Sequence, residues 1–317
     1  MKRRERFRGG SFFLTFVFFL LISLFFKRTS VGSRLCYNLS MELSTRMLGR
    51  TKQKVTLLGL GGEGVLRTFG QDKAASALIN RALDLGLTYF ESARAYSGSE
   101  AYYGNTLGER RKDIFLTSKS HDRTKKGALA HLHETLRNMR TDHLDLWQVH
   151  DVREEIDIAE IFGPGGAIEA FVEAKQQGKT RFIGVTGHHD PAIMRKCIEQ
   201  FDFDTALIPV NPAEQKYKSF IENVLPLARK KSMGIIGMKV YVRGFVSRLS
   251  WYTSMKPFLR FALSQPVTNV VIGCDDIKQL EQNVEFASAF EPMTQEEQQD
   301  LIRVVSPAAR QLMYYKP

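Results

Sequence analysis

Short apolar runs alternate with amphipathic stretches along the chain from residue 54 onward. A short apolar run bounded by turn residues predicts a buried strand, and apolar residues spaced three and four apart predict a helix. Eight strand candidates follow one another, each with a helix candidate after it; they lie at residues 55–60, 88–90, 114–119, 144–150, 182–186, 205–210, 234–240 and 269–273. This alternation is typical of a parallel sheet covered by helices.

The number of repeats selects one α/β architecture. Eight strand–helix repeats over about 250 residues predict a closed barrel of the TIM type, (β/α)8. The competing fold, an open doubly wound sheet, carries a G-x-G-x-x-G turn after a strand; the glycine-rich run at residues 59–64 is a weak signal by itself and does not outweigh the eight repeats. We therefore predict a barrel domain at residues 41–317, with a C-terminal helix and tail and a short hydrophobic segment before it.

Capping residues mark two of the helix starts. Asp190 followed by Pro191 places a capping side chain before a proline at the first helical position. Thr294 with Glu297 three residues later forms a capping box, which predicts a last helix. The aromatic tail beyond it, residues 311–315, is expected either to pack under that helix or to fold over the mouth of the barrel.

Residues 1–40 differ in composition from the rest of the chain. A basic start precedes an apolar run at residues 11–26, which Lys27 and Arg28 close. This is the layout of a signal sequence or a short membrane anchor, although the run is shorter than the ~20 residues of a spanning helix. A third interpretation makes Met41 the natural start. The domain is thus expected in the cytoplasm, or tethered to a membrane through residues 11–26 if the extension belongs to the native product.

Charge and cysteine content exclude two classes of protein. The net charge is +11, but eight of the 45 basic residues lie before residue 41, and the remaining 37 basic and 33 acidic residues leave only +4. With no basic stripe interleaved with aromatic residues, no nucleic-acid partner is expected. Cys36, Cys197 and Cys274 have neither metal-like spacing nor a paired framework, which favours a reducing compartment and no metal site.

Four chemically active side chains fall at the ends of consecutive strands. Barrel enzymes place catalytic groups at the C-terminal ends of their strands. Glu91 and Tyr96 follow the second strand candidate, Lys119 ends the third and His150 ends the fourth. A tyrosine with a pKa near 10 is a poor acid at neutral pH, but a nearby ammonium stabilises the phenolate, and a carboxylate holds the ammonium in place. The cluster predicts general acid catalysis by Tyr96.

Five stretches, in order along the chain, resemble the motifs of the aldo-keto reductase family. The run at 86–100, GLTYFESARAYSGSE, resembles the family's F-D-T-A-x-x-Y-G-x-S-E signature. The runs at 115–119, FLTSK, and 142–150, DHLDLWQVH, resemble the strands that end in the catalytic lysine and histidine. The run at 178–186, GKTRFIGVT, resembles G-K-x-R-x-I-G-V-S, and Leu280-Glu-Gln-Asn283 resembles the stretch that holds adenine.

The resemblance implies reduction of a small aldehyde or ketone to an alcohol. The cofactor would be NADPH, with NADH as the alternative, and the protein would be a monomer or small homo-oligomer. Tyr96 would protonate the carbonyl oxygen, Lys119 would lower the pKa of Tyr96, Glu91 would pair with Lys119, and His150 would orient the carbonyl. Cofactor contacts are implied for Gly62, Thr186, His188, Asn211, Lys239, Tyr241, Arg243, Gly273, Cys274, Gln279, Gln282 and Asn283.

Departures from the family pattern keep two alternatives open. Glu91 stands where the family has aspartate, and His188 lies where it has Ser-Asn. A cofactor-binding redox sensor or regulatory subunit with little turnover is the first alternative. The second is a metal-dependent hydrolase using His188, His189 and Asp190, although Asp190 is better explained as a helix cap. Glu91 could also be a structural partner of Arg94.

Overall fold

The computed structural model describes residues 42–317. Eight parallel strands form a closed barrel in the circular order β10-β3-β4-β5-β6-β7-β8-β9, which confirms the predicted fold. The strands are β1 (Thr45–Met47), β2 (Lys54–Thr56), β3 (Leu58–Gly64), β4 (Tyr89–Glu91), β5 (Phe115–Ser120), β6 (Leu144–Val149), β7 (Thr180–Thr186), β8 (Thr205–Pro209), β9 (Gly234–Met238) and β10 (Asn269–Cys274). The extension predicted at residues 1–40 lies outside the described residues.

Helices surround the barrel. They are α1 (Asp72–Asp84), α2 (Ser99–Thr106), α3 (Lys125–Met139), α4 (Glu155–Phe162), α5 (Ala167–Gln176), α6 (Pro191–Gln200), α7 (Phe220–Asn223), α8 (Leu225–Lys230), α9 (Lys256–Ser264), α10 (Ile277–Ser288), α11 (Gln295–Val305) and α12 (Ala309–Leu312). Both predicted caps are confirmed: the Asp190 side chain accepts from the Ala192 amide, and Thr294 and Glu297 form a capping box. Within residues 42–317, no helix combines the length and the apolar character that crossing a bilayer requires.

The first strand candidate, residues 55–60, was wrong in its extent. It spans the end of β2 and the start of β3, which are separate strands. β2 pairs with β1 as an antiparallel hairpin, whereas β3 begins the barrel. Leu57, between them, is as buried as its neighbours, so the apolar run continues through the break. Hydropathy alone therefore could not reveal the turn.

The hairpin region closes the N-terminal end of the barrel. Leu48 and Val55 belong to the same buried cluster as inward-facing side chains of the barrel strands, among them Tyr89, Phe115 and Leu146. A Cβ atom built on Gly234, the first residue of β9, would lie 2.6 Å from Leu48 Cδ1. This tight fit leaves the C-terminal end as the open end of the barrel, where β-strand ends position side chains for chemistry.

The C-terminal tail folds over the open end of the barrel, as one of the two expectations had it. Its anchor is an ion pair between Lys316 Nζ and Glu214 Oε2 at 2.7 Å, with both side chains fully buried. The Tyr315 hydroxyl donates to the other oxygen of Glu214 at 2.6 Å. Lys316 Nζ also donates to the carbonyls of Tyr217 and Lys218, so the ammonium has three hydrogen-bond acceptors inside the protein, one of them a carboxylate.

We expect the Glu214→Gln variant to be less stable than the wild type. The change leaves Lys316 as a buried cation without a counter-charge, a loss of up to about 3–5 kcal/mol in the free energy of unfolding. If the tail can detach while the barrel stays folded, the loss in the free energy of unfolding cannot exceed the free energy of tail docking. Urea unfolding measures the difference.

The control for this prediction is Glu222→Gln, which removes an exposed carboxylate from α7. It should change the free energy of unfolding by no more than about 0.5 kcal/mol. Equal losses in the two variants would show that the buried ion pair does not stabilise the tail.

Candidate active site

The four predicted catalytic residues lie together at the open end of the barrel. Glu91 is the last residue of β4, Lys119 lies in β5 and His150 directly follows β6. Lys119 Nζ is 2.9 Å from Glu91 Oε1, and the two side chains are 1% and 6% exposed. Lys119 Nζ also donates to the Ser92 carbonyl at 2.8 Å. Glu91 therefore supplies the counter-charge that a buried lysine requires.

Tyr96 lies close to two cations. Lys119 Nζ is 4.8 Å from the centroid of the Tyr96 ring, and the Arg67 guanidinium is 4.9 Å from it. The His150 ring is nearly perpendicular to the Tyr96 ring, with centroids 5.9 Å apart. A Cβ atom on Gly62 would lie 2.6 Å from Tyr96 Cδ2, so only glycine leaves room for the ring in this position.

The alternative pairing of Glu91 with Arg94 is wrong. Arg94 instead binds Glu100 at 2.8 Å and Glu134 at 2.6 Å. Both are carboxylates of the surrounding helices, α2 and α3. Glu91 is therefore paired with Lys119 inside the barrel.

Burial determines the protonation of this cluster. It raises the pKa of Tyr96 well above 10, and the charges of Glu91 and Glu63 add to the rise, while Arg67 opposes it. Lys119 was expected to lower this pKa, but the desolvation of the phenol outweighs the nearby cations. Burial, with Lys119 adding to the effect, also lowers the pKa of His150 well below its usual range. At neutral pH the site therefore holds a protonated phenol beside a neutral imidazole.

Two buried polar atoms of the cluster have no hydrogen-bond partner among the described residues. They are Glu91 Oε2 and His150 Nδ1. Buried polar atoms are normally paired with protein or water, and exceptions need an explanation such as a catalytic role or an unseen ligand. Both atoms thus mark this cluster as a place where a ligand or a water molecule can bind.

A cavity of about 510 Å³ begins at Glu91 and Tyr96 and extends along the ends of β3, β9 and β10. Eight of the twelve predicted cofactor contacts line it: Gly62, Lys239, Tyr241, Arg243, Gly273, Gln279, Gln282 and Asn283. Its walls thus bring together two cations and several amide groups. Cations suit the phosphates of a dinucleotide, and amides can hydrogen-bond an adenosine, so the residues present fit the implied cofactor.

The other four predicted cofactor contacts do not line this cavity. The Thr186 hydroxyl accepts from the Asp151 amide at 2.8 Å, and His188 Nδ1 lies 3.2 Å from Asp151 Oδ1. Asp151 was not identified from the sequence. It directly follows His150 and has a φ of 58°, a left-handed conformation that is uncommon for residues other than glycine.

Asn211 and Cys274 are both held by the protein itself. Asn211 Nδ2 donates to the Tyr315 hydroxyl at 3.0 Å, so its amide helps to fix the C-terminal tail. Cys274 is buried, and Asn283 Nδ2 lies 3.5 Å from its sulfur, which places the thiol behind the wall of the cavity. Burial raises the pKa of this thiol to about 12, so it is not a reactive nucleophile.

Residues 42–317 contain no group of three or more His, Cys, Asp or Glu side chains arranged to hold a metal ion. Asp190 caps α6 and also pairs with Lys218 at 2.7 Å. His188 pairs with Asp151 instead of Asp190. Nothing in this part of the chain thus favours the metal-dependent hydrolase.

The aldo/keto reductase family model matches residues 57–257, most of the chain. The chain belongs to the aldo/keto reductase family. As a member it is an NAD(P)H-dependent oxidoreductase. The match includes the barrel strands β3 to β9 and all four residues of the predicted catalytic cluster.

Individual relatives are distant from this aldo/keto reductase. An uncharacterised oxidoreductase of Bacillus subtilis, YqkF, is 23% identical over 301 residues, covering 80% of this chain and 93% of that protein. L-galactose dehydrogenase of Arabidopsis thaliana is 23% identical over 303 residues, 80% of this chain and 90% of that protein.

Solved structures of two bacterial aldo-keto reductases have the same fold. The Bacillus halodurans enzyme in its holo form has a TM-score of 0.71 at 22% identity, covering 83% of this chain and 96% of that one. The Klebsiella pneumoniae enzyme, crystallised with NADPH, has a TM-score of 0.68 at 20% identity, covering 83% and 95%.

We expect this aldo/keto reductase to lose stability as the pH falls from 7 to 5. Burial lowers the pKa of His188 to about 4 and that of His150 well below its usual range. In the unfolded chain both titrate near 6.5, so below that pH the unfolded state binds more protons and is favoured. The destabilisation begins below about pH 6.5; for His188 it reaches roughly 2 kcal/mol in the free energy of unfolding by pH 5, and His150 adds to it in the same direction.

Urea unfolding of the wild type and of His188→Asn at the two pH values tests this. The variant should lose less stability than the wild type between pH 7 and 5. His133→Asn, which removes an exposed imidazole on α3, should behave as the wild type does. The same pH dependence in all three proteins would show that His188 does not contribute to the loss of stability at low pH.

Proposed function

We propose that this chain is an NADPH-dependent reductase that converts a small aldehyde or ketone to an alcohol, with Tyr96 as the proton donor. The observation that carries the proposal is the position of Tyr96. Its ring contacts the buried Lys119–Glu91 pair and also lines the cavity whose far end holds cations and amides. A proton donor at one end of a cofactor-sized cleft is the arrangement that carbonyl reduction needs.

The residues of the chain have separate roles in the proposed reaction. Tyr96 donates its hydroxyl proton to the carbonyl oxygen of the substrate. Lys119 stabilises the phenolate that this transfer leaves, since its ammonium faces the ring and is held there by Glu91. His150 is neutral, so it can hydrogen-bond the carbonyl oxygen and orient it without competing as an acid. The reduced nicotinamide, when bound, supplies the hydride.

Lys239 and Arg243 are the proposed partners of the cofactor's phosphates. Both line the cavity, and the backbone around them is unusual: Lys239, Val242 and Arg243 all have φ between 51° and 58°. Such conformations cost free energy for residues with a side chain, and they concentrate at binding sites. Gln279, Gln282 and Asn283, from α10, would hydrogen-bond the adenosine end.

The preference for NADPH follows the family resemblance. Gln279 takes the position of the basic residue that often grips the 2′-phosphate, and Lys278 is adjacent to it. The Klebsiella pneumoniae enzyme binds NADPH in its crystal structure. A cytoplasmic location remains a prediction from the cysteine pattern, which fits the two free, buried cysteines Cys197 and Cys274.

The experiment uses the domain from Met41 and follows NADPH absorbance with a panel of aldehydes, ketones and quinones. Tyr96→Phe should lower kcat by about 10²–10⁴-fold, because general acid catalysis contributes this much. NADPH binding, measured by fluorescence, should persist, since the ring remains. Tyr102→Phe is the matched control: it removes a nearby hydroxyl that binds the Thr68 carbonyl, outside the cavity, and should keep its activity.

The same panel of substrates distinguishes the reductase from the alternative, a regulatory or redox-sensing protein. Turnover that is lost in Tyr96→Phe and kept in Tyr102→Phe supports the reductase and its proton donor. NADPH binding without oxidation of any substrate by the wild type would favour the regulatory or redox-sensing role. Full activity in Tyr96→Phe would remove Tyr96 from the mechanism.

A further inference from the structure

Four charged side chains meet at the edge of the cofactor cavity, and two of them, Glu63 and Arg67, have no role in the function proposed above. Glu63, in β3, lies between three cations. Its carboxylate is 2.8 Å from Arg67, 3.4 Å from Arg243 and 3.8 Å from Lys239. Lys239 and Arg243 are the two residues proposed to bind the cofactor's phosphates.

Lys239 requires a counter-charge in its present position. Its side chain is only 13% exposed, and burial lowers the pKa of its ammonium, while Glu63 opposes that shift. Burial would likewise raise the pKa of Glu63, but the cations, Lys239 first, hold it below its usual value. Each group therefore keeps the other ionised, and Glu63 occupies the electrostatic position that a bound anion would take.

We propose that Glu63 is an internal counter-ion, which the phosphates of the dinucleotide displace from Lys239 and Arg243. The inference rests on the proposed function, because it takes these two cations as the phosphate partners. A phosphate within contact distance of both cations adds negative charge beside the carboxylate of Glu63. The repulsion between like charges then drives the carboxylate away from them.

Arg67 lowers the free-energy cost of moving the Glu63 carboxylate away from Lys239 and Arg243. The Glu63–Arg67 pair is the shortest of the three, and Arg67 is not among the residues that line the cavity; its guanidinium lies over the Tyr96 ring. Glu63 can therefore release Lys239 and Arg243 and still keep one partner. Its side chain is 32% exposed, so water also solvates the carboxylate as it moves.

The test measures binding of inorganic pyrophosphate and of NADPH to the wild type and to Glu63→Gln, by calorimetry and fluorescence. Removing the competing charge should tighten both ligands by roughly fivefold to tenfold. Affinity should also fall more steeply with added salt, because the ligand then meets an uncompensated cluster of cations. Without ligand, Glu63→Gln should have a lower Tm than the wild type, and pyrophosphate should raise its Tm by a larger amount.

Asp275→Asn is the matched control. Asp275 is another carboxylate in the wall of the same cavity, and it makes no ion pair with Lys239 or Arg243 in the described structure. It should change ligand affinity less than Glu63→Gln does and should leave the Tm without ligand unchanged. This comparison separates a specific counter-ion from the general field of any nearby acid.

The outcomes distinguish the inference from the function on which it rests. If the wild type binds NADPH and Glu63→Gln binds it equally or more weakly, the counter-ion role is wrong while the reductase stands. Absence of NADPH binding to all of the proteins would overturn both. If Glu63→Gln does not fold, Glu63→Asp, which shortens the carboxylate by one methylene, should give a smaller tightening, and unchanged affinity in it would reject the proposal.

Discussion

The ion pair between Lys119 and Glu91 is the constraint on which the candidate active site depends. A lysine that is 1% exposed inside a barrel cannot remain charged without a partner, and Glu91 on the adjacent strand provides it at 2.9 Å. The parallel pairing of β4 and β5 holds the two strands side by side, and Glu91 and the Ser92 carbonyl hold the ammonium. The ammonium faces the ring of Tyr96. The absence of a side chain at Gly62 leaves room for this ring, and the imidazole of His150 packs against it.

The substitution of glutamate for the family's aspartate is compatible with this constraint. With the additional methylene the carboxylate is 2.9 Å from Lys119 Nζ, and its other oxygen has no hydrogen-bond partner among the described residues. The sequence could only indicate that the charge was kept. The structure adds that the pair is intact, and it removes Arg94 as a competitor because Glu100 and Glu134 already bind it.

The barrel and the grouping of Glu91, Tyr96, Lys119 and His150 at its open end could be predicted because each depends on a local signal. Eight strand–helix repeats select the fold, and the ends of parallel strands necessarily meet at one edge. Contacts between residues that are far apart in the sequence gave no such local signal. Glu214 and Lys316 are 102 residues apart, and nothing in either local pattern indicates a buried ion pair. Asn211 was assigned to the cofactor by resemblance, yet its amide binds the hydroxyl of Tyr315 in the tail.

Glu91 and Glu63 lie near strand ends of the same barrel, but their ion pairs differ in burial and therefore in how easily they can be broken. Glu91 is 6% exposed with one close cation, and breaking such a buried pair costs about 3–5 kcal/mol. Glu63 is 32% exposed and divides its charge among three cations; its pairs with the exposed Arg67 and Arg243 are of the kind that contributes about 0–1 kcal/mol each, and its pair with the more buried Lys239 is the longest, at 3.8 Å. The first is too costly to break in every catalytic cycle and so can only position Lys119. The second can be exchanged, and this is the physical reason to assign it to the step in which an anionic ligand arrives.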